Sequence, residues 1–138
     1  MNMSIAEWET FEGQVFPIHN TVDIITLRME IRQIARKAGL GLIGQSSFSI
    51  AASNLAYKIG MDSRPGGRVK VGWQSDGARA RVQLMMIMPA EPDQRFIDDL
   101  YNDIWLLVDK LDIHMAPENI MIINMERWAE SSPANIQW

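Results

Sequence analysis

The chain has 138 residues, 47% of them hydrophobic and 22% charged, the size and composition of one ordinary globular domain with its own core. It contains no cysteine, which excludes disulfides and thiolate metal sites, and its net charge of -4 argues against a generally basic surface for nucleic acid. No stretch approaches the roughly 18 apolar residues of a membrane span, and the start Met1-Asn2-Met3-Ser4-Ile5-Ala6-Glu7-Trp8-Glu9 lacks the basic-then-apolar order of an export signal, so a cytoplasmic setting is expected.

No internal repeat, low-complexity tract or linker interrupts the sequence, so residues 1–138 read as a single domain closed by a polar tail over 129–138. The apolar run Val15-Phe16-Pro17-Ile18 predicts a strand, and Asn20 or Thr21 can cap the helix that follows by accepting from free backbone amides. In that helix Ile24, Leu27, Ile31, Ile34 and Ala38 recur at three- and four-residue spacing and share one face, while Arg28, Arg32 and Arg36 share another. Gly39 and Gly41 end it, because glycine enters left-handed dihedrals without a Cβ clash.

A second helix is expected from Ser46 or Ser47, capped by one of those hydroxyls. It carries Phe48, Ala51, Ala52, Leu55, Ala56 and Ile59, small enough in places for another element to approach closely, before Gly60 and a Pro65-Gly66-Gly67 turn. Val69, Val71 and Trp73 alternate with polar residues, as do Val82, Leu84, Met86 and Met88 after the Ser75-Asp76-Gly77 turn, which predicts a β-hairpin whose later half is buried on both faces. Helical spacing returns in Ile97, Leu100, Ile104, Leu107 and Leu111, with Pro92 suited to the first turn. A second hairpin joins Asp112-Ile113-His114-Met115 to Ile120-Met121-Ile122-Ile123-Asn124-Met125 through Pro117-Glu118-Asn119. The expected class is α+β: a two-layer α/β sandwich with a mixed or mainly antiparallel sheet and the helices on one face.

The chemistry-bearing residues are sparse. His19 and His114 lack the spaced acidic companion of a metal or acid/base pair, and no G-x-S-x-G elbow surrounds Ser46, Ser47, Ser49 or Ser53. Asp98, Asp99, Asp103 and Asp109 are expected on the third helix as a solvated acidic face, and no metal site is expected. Gly66-Gly67 and Gly39-x-Gly41 are too short to cradle a phosphate. Arg64, Arg68, Lys70, Arg79 and Arg81 are read as solubilising a two-stranded edge, and Met85, Met86 and Met88 as core filler. Trp128 and Trp138 lie in or near the tail, beyond what the core pattern requires, and read as aromatic anchors for a partner surface.

The segments Val22-Asp23-Ile24-Ile25-Thr26-Leu27-Arg28, Ala35-Arg36-Lys37-Ala38-Gly39-Leu40 and Ser49-Ile50-Ala51-Ala52-Ser53-Asn54-Leu55-Ala56-Tyr57-Lys58-Ile59 are similar to the opening helices of the serine kinases and anti-sigma regulators of bacterial partner-switching pathways. Those proteins belong to the histidine-kinase-like ATPase superfamily, of Bergerat type. Leu107-Val108-Asp109-Lys110-Leu111-Asp112-Ile113 and the hairpin ending Met125-Glu126-Arg127-Trp128 resemble the family's closing helix and strands, so the likeness brackets residues 12–128.

Active members carry, in the second helix, a glutamate and four residues later an asparagine that holds the magnesium of ATP; alignment on Leu55-Ala56 sets Asn54 and Lys58 there. Their Asp-x-Gly-x-Gly box, whose aspartate reads the adenine, falls on Met86-Ile87-Met88-Pro89-Ala90-Glu91-Pro92, and too little chain follows for their glycine-rich lid. The resemblance therefore implies a scaffold that has lost its nucleotide site, with Asn54, Lys58 and Met88 as degenerate positions and no cofactor, ATP and magnesium entering only through an unconventional site. It implies a non-catalytic regulator that binds a protein, such as a STAS-domain antagonist or another signalling module, through Arg28, Arg32, Trp128 and Trp138. No nucleic-acid or membrane partner is expected, and a homodimer is compatible with the sequence. Two alternatives stand beside this reading: an ATP-binding serine/threonine kinase or anti-sigma factor with altered motifs, and a tautomerase-like enzyme. The second rests on a likeness of Ala116-Pro117-Glu118-Asn119-Ile120-Met121-Ile122 to the last tautomerase hairpin, although tautomerases use an N-terminal proline and this chain begins Met1-Asn2.

Overall fold

A computed structural model describes residues 5–91 and 93–130. The elements in chain order are α1 (Ile5–Thr10), β1 (Gln14–Ile18), α2 (Thr21–Lys37), α3 (Leu42–Lys58), β2 (Gly67–Ser75), β3 (Ala80–Pro89), α4 (Gln94–Ile104), a 3-10 turn (Trp105–Leu107), β4 (Lys110–Ala116) and β5 (Ile120–Trp128). The strands form one antiparallel five-stranded sheet in the order β1-β2-β3-β5-β4. This is the two-layer α/β sandwich that the sequence pattern implies.

Strand alternation divides the sheet into two faces. The registers Phe16↔Val69, Val69↔Met86, Met86↔Ile123 and Ile113↔Ile123 line up one apolar row on the helix side. Against it pack Ile24, Leu27, Ile31, Ile34 and Ala35 of α2, and Phe48, Leu55 and the small residues Ala51, Ala52 and Ala56 of α3, all buried. Fully burying each Ile, Leu or Phe stabilises the fold by about 1.5–3 kcal/mol relative to exposure, so this layer carries most of the hydrophobic driving force. The N-cap is Asn20, whose side chain accepts from the Asp23 amide at 3.0 Å. Gly39, at φ +97°, makes the turn between α2 and α3.

The opposite face has its own small cluster. Trp8, on the short helix α1, and Phe11 just after it pack with Met85, Ile87 and Ile122. Lys70 fixes α1 by donating to the Trp8 carbonyl at 2.7 Å, and the cations of Arg68 and Lys70 each lie 5.5 Å from the Trp8 ring centroid. Nearby, Glu126 sits almost buried with Arg81 Nε at 3.1 Å and Lys110 Nζ at 3.6 Å, and Gln83 donates to Asn124 at 3.0 Å. The nearly buried carboxylate of Glu126 is therefore paired with two cations, as burial demands. Both edges are blunted against further pairing: β1 carries Pro17, which has no N–H to offer, and the Ile113 amide of β4 donates to the Tyr101 hydroxyl at 2.7 Å.

Five expectations are corrected. The second helix starts at Leu42, with extended Gly41 at its N-cap, so Ser46 and Ser47 lie inside it and cap nothing. The third helix stops at Ile104: Leu107 belongs to the 3-10 turn, whose carbonyl accepts from Arg127 at 2.8 Å, and Leu111 belongs to β4. Asp109 consequently leaves the acidic helix face and accepts the Trp128 amide at 2.8 Å. The basic residues Arg68, Lys70 and Arg81 do not decorate a two-stranded edge, because β2 and β3 are interior strands and these side chains engage Trp8, Glu126 and Trp128. Helix α1 is an added element, and it places helical structure on both faces of the sheet. Pro92 lies outside the described residues; Asp93 caps α4 by accepting the Phe96 amide at 3.2 Å.

Candidate functional site

The positions that the resemblance aligns with a nucleotide site are Asn54 and Lys58 on α3 and Met88 near the end of β3. Asn54 is exposed on α3. One turn further along, Lys58 Nζ lies 2.7 Å from Asp103 Oδ2 on α4, a bridge with 44% and 46% of the two side chains exposed. Solvent screening limits such a pair to about 0–1 kcal/mol, so its consequence is positional: it occupies the lysine and ties the two helices together. Met88 is 1% exposed, packed in the core on the helix side of β3. Beyond β3, Ala90 is held by donating its amide to the Asn119 carbonyl at 2.8 Å, and α4 begins at its Asp93 cap. Among the described residues, no group of three or more histidines and carboxylates could hold a metal ion, and no helix is long and apolar enough to cross a membrane.

The partner residues expected from the sequence are not brought together. Arg28 and Arg32 stand on α2, in the helix layer. Trp128 ends β5 on the far side of the sheet, in register with Arg81, with its ring 5.4 Å from the Arg79 guanidinium and 5.2 Å from that of Arg81. Trp128 is thus half-buried and held by the chain's own cations rather than standing free in a tail. Trp138 lies outside the described residues.

Around Arg28 and Arg32 the surface has a distinct composition. Arg28 reaches across to α3, its Nη2 and Nε donating to the Ser53 hydroxyl at 2.9 and 3.2 Å. Ser53 in turn donates to the Ile50 carbonyl at 3.2 Å, which orients its oxygen toward the arginine. Arg32 and Arg36 follow at one-turn intervals, and together with Leu42 and Gln45 they line a depression of about 260 Å³ where the end of α2 meets the start of α3. No carboxylate among the described residues pairs with Arg28, Arg32 or Arg36.

Large apolar side chains lie exposed beside these arginines: Val22, Ile25 and Met29 on α2, and Leu42, Ile43 and Ile50 on α3, with Ile43 74% and Met29 60% exposed. The sequence reading missed this row. Its signal was present, since Val22, Ile25 and Met29 recur at helical spacing on the side opposite the core stripe, where only polar residues are expected on a solvated helix. Scattered exposed aliphatics are ordinary, but contiguous ones flanked by charge mark contact surfaces. No protein-family model and no curated protein matches this chain.

Proposed function

We propose that this chain is a non-catalytic regulatory protein that acts by binding another protein, on a scaffold similar to that of the partner-switching serine kinases but without their nucleotide site. The observation that carries the reading is the α3–α4 junction. Lys58, where the resemblance would set a magnesium ligand, is engaged by Asp103; Met88, where it would set the adenine-reading box, is core; and β3 passes almost directly into α4. Phosphoryl transfer depends on positioning and electrostatic stabilisation of the phosphates, and the side chains at these positions supply neither. The contact surface is the outer side of the α2–α3 pair, where Arg28 and Arg32 have no carboxylate partner among the described residues and lie beside exposed aliphatics. A STAS-domain antagonist or another bacterial signalling module is the partner class that the resemblance suggests, in a cytoplasmic setting.

The test is to mix the chain with a panel of STAS-domain proteins and radiolabelled ATP with magnesium, following complex formation by gel filtration and phosphate transfer by autoradiography. The reading expects a complex without transfer, weakened when Arg28 and Arg32 are replaced by alanine. Phosphate appearing on the partner would replace it with the kinase reading.

A further inference from the structure

The arginine column of α2 is the least self-consistent feature of the molecule. Arg28, Arg32 and Arg36 succeed one another at i, i+4 spacing, where like charges repel, and none has a carboxylate partner among the described residues. The helix could have relieved this with an acid at the same spacing. Its two acids lie elsewhere: Asp23 accepts the His19 amide at the N-terminus at 2.8 Å, and Glu30, two residues after Arg28, projects roughly 160° around the axis from it. Helix α3 has no acidic residue at all. The α2–α3 pair is thus cationic in a chain of net charge -4.

The column also lies along a seam. Arg28 bonds Ser53 across it, and at the other end Arg32 and Arg36 line the depression with Leu42 and Gln45, so over this length the arginines border the groove between α2 and α3. Met29 and Ile50 flank the seam as exposed aliphatics, and Ile43 extends the row toward the depression. Two adjacent helices with exposed aliphatics beside their seam and a line of arginines at one-turn spacing, none with a carboxylate partner among the described residues, are complementary to a third helix with an apolar stripe bordered by acids at the same spacing.

We propose that the outward α2–α3 groove receives an acidic amphipathic helix of a partner protein, its carboxylates on Arg28, Arg32 and Arg36 and its apolar side on Met29, Ile43 and Ile50. This deepens the protein-binding reading above and rests on it. A second copy of the chain is the poorer occupant, because apposing this face with itself sets the arginine columns against each other and neither α2 nor α3 places an acid at their spacing to offset them. A nucleic acid would match the arginines but leave the aliphatics unused.

The test uses two fluorescein-labelled synthetic helices with the same leucine stripe, one bordered by glutamates at i, i+4 spacing and one by lysines, titrated with the full chain and followed by anisotropy. The acidic peptide is expected to bind at least about ten-fold more tightly than the basic one, with the difference shrinking as salt is raised. Arg32→Glu/Arg36→Glu should abolish that preference, Arg32→Gln/Arg36→Gln should weaken it, and Arg95→Glu, on exposed α4 away from the seam, should leave it intact. Circular dichroism melts establish that each variant is folded. Equal affinity for the two peptides, failure of both to bind, or an acidic-peptide affinity unchanged by the arginine substitutions overturns the proposal. So does binding to phosphatidylserine vesicles or mixed-sequence duplex DNA that needs Arg32 and Arg36 when the acidic peptide is not bound. A nucleotide titration on the same preparation separates the two levels. Saturable ATP binding sinks the scaffold reading itself, whereas peptide failure without ATP binding removes only the acidic helix as partner.

Discussion

Replacing Gly72 by alanine probes how the N-terminal segment is held on the sheet. Gly72 lies on the face covered by α1, and a Cβ built there would sit 2.3 Å from the Glu12 carbonyl oxygen and 3.2 Å from the Gly13 Cα. A Cβ on Gly13 would in turn come within 2.6 Å of the Val71 carbonyl oxygen. The chain entering β1 therefore crosses directly over the β2 backbone, and that crossing returns Trp8 and Phe11 to Met85, Ile87 and Ile122. Because the obstructing atoms are backbone, Gly72→Ala forces β1 or its entry to shift by about 1 Å, at a cost of roughly 1–3 kcal/mol. For a domain of this size that lowers Tm by roughly 3–12 °C. Urea denaturation followed by far-UV circular dichroism measures the loss, and acrylamide quenching reports whether Trp8 is uncovered. Gly77→Ala is the control: it meets nothing within 4 Å but sits at φ +94°, so it costs only the left-handed penalty of about 1–2 kcal/mol and leaves the Trp8 environment unchanged. A Gly72→Ala loss below about 0.5 kcal/mol, or quenching equal to wild type, would refute the crossing as the clamp.

Other substitutions test the remaining assignments. Trp128→Ala, which removes a half-buried ring from between Arg79 and Arg81, should lower stability by about 1–3 kcal/mol in urea melts; a neutral change would return Trp128 to the role of a free surface anchor. A double-mutant cycle on Lys58→Ala and Asp103→Ala should give a coupling of about 0.2–1 kcal/mol that fades in high salt, and a coupling several times larger would mean that the pair is shielded from solvent. Asp76 accepts the Arg79 and Ala78 amides at 2.8 and 3.0 Å, which holds its carboxyl below the usual 3.8. A depressed folded-state pKa stabilises above the unfolded value and is lost as pH falls through the folded one. Thermal melts carried from neutral pH to below 3.8 should therefore fall further for wild type than for Asp76→Asn, and parallel curves would contradict the turn assignment.

The parts of the fold that were legible in the sequence are those where one local signal dominates. The apolar stripe of α2, its Asn20 cap and its Gly39 stop act within a few residues, and so does the alternation of β2 and β3. The start of α3 was not legible, because Gly41 caps through its extended backbone while Ser46 and Ser47 look like side-chain caps. Leu107 and Leu111 continue the helical spacing of α4, yet they are claimed by the 3-10 turn and by pairing of Leu111 with Met125, a contact between distant residues that periodicity cannot express. Helix α1 is too short to show a period, and only the second apolar face of β3 hinted that something covers it. Of the candidate site, Arg28 and Arg32 were visible as a shared helix face. Trp128 was legible as the end of the last hairpin, but its contacts were not, because the two arginines beside its ring come from β3 and the loop before it, far off in sequence.

The central claim is that the scaffold binds protein and not nucleotide, and isothermal titration of the pure chain with a non-hydrolysable ATP analogue and magnesium addresses it most directly. The account predicts no saturable heat up to millimolar nucleotide, in wild type and equally in Lys58→Asn, which frees Asp103 and restores an asparagine at the aligned position without restoring an adenine reader. A saturable one-to-one isotherm for wild type would contradict it.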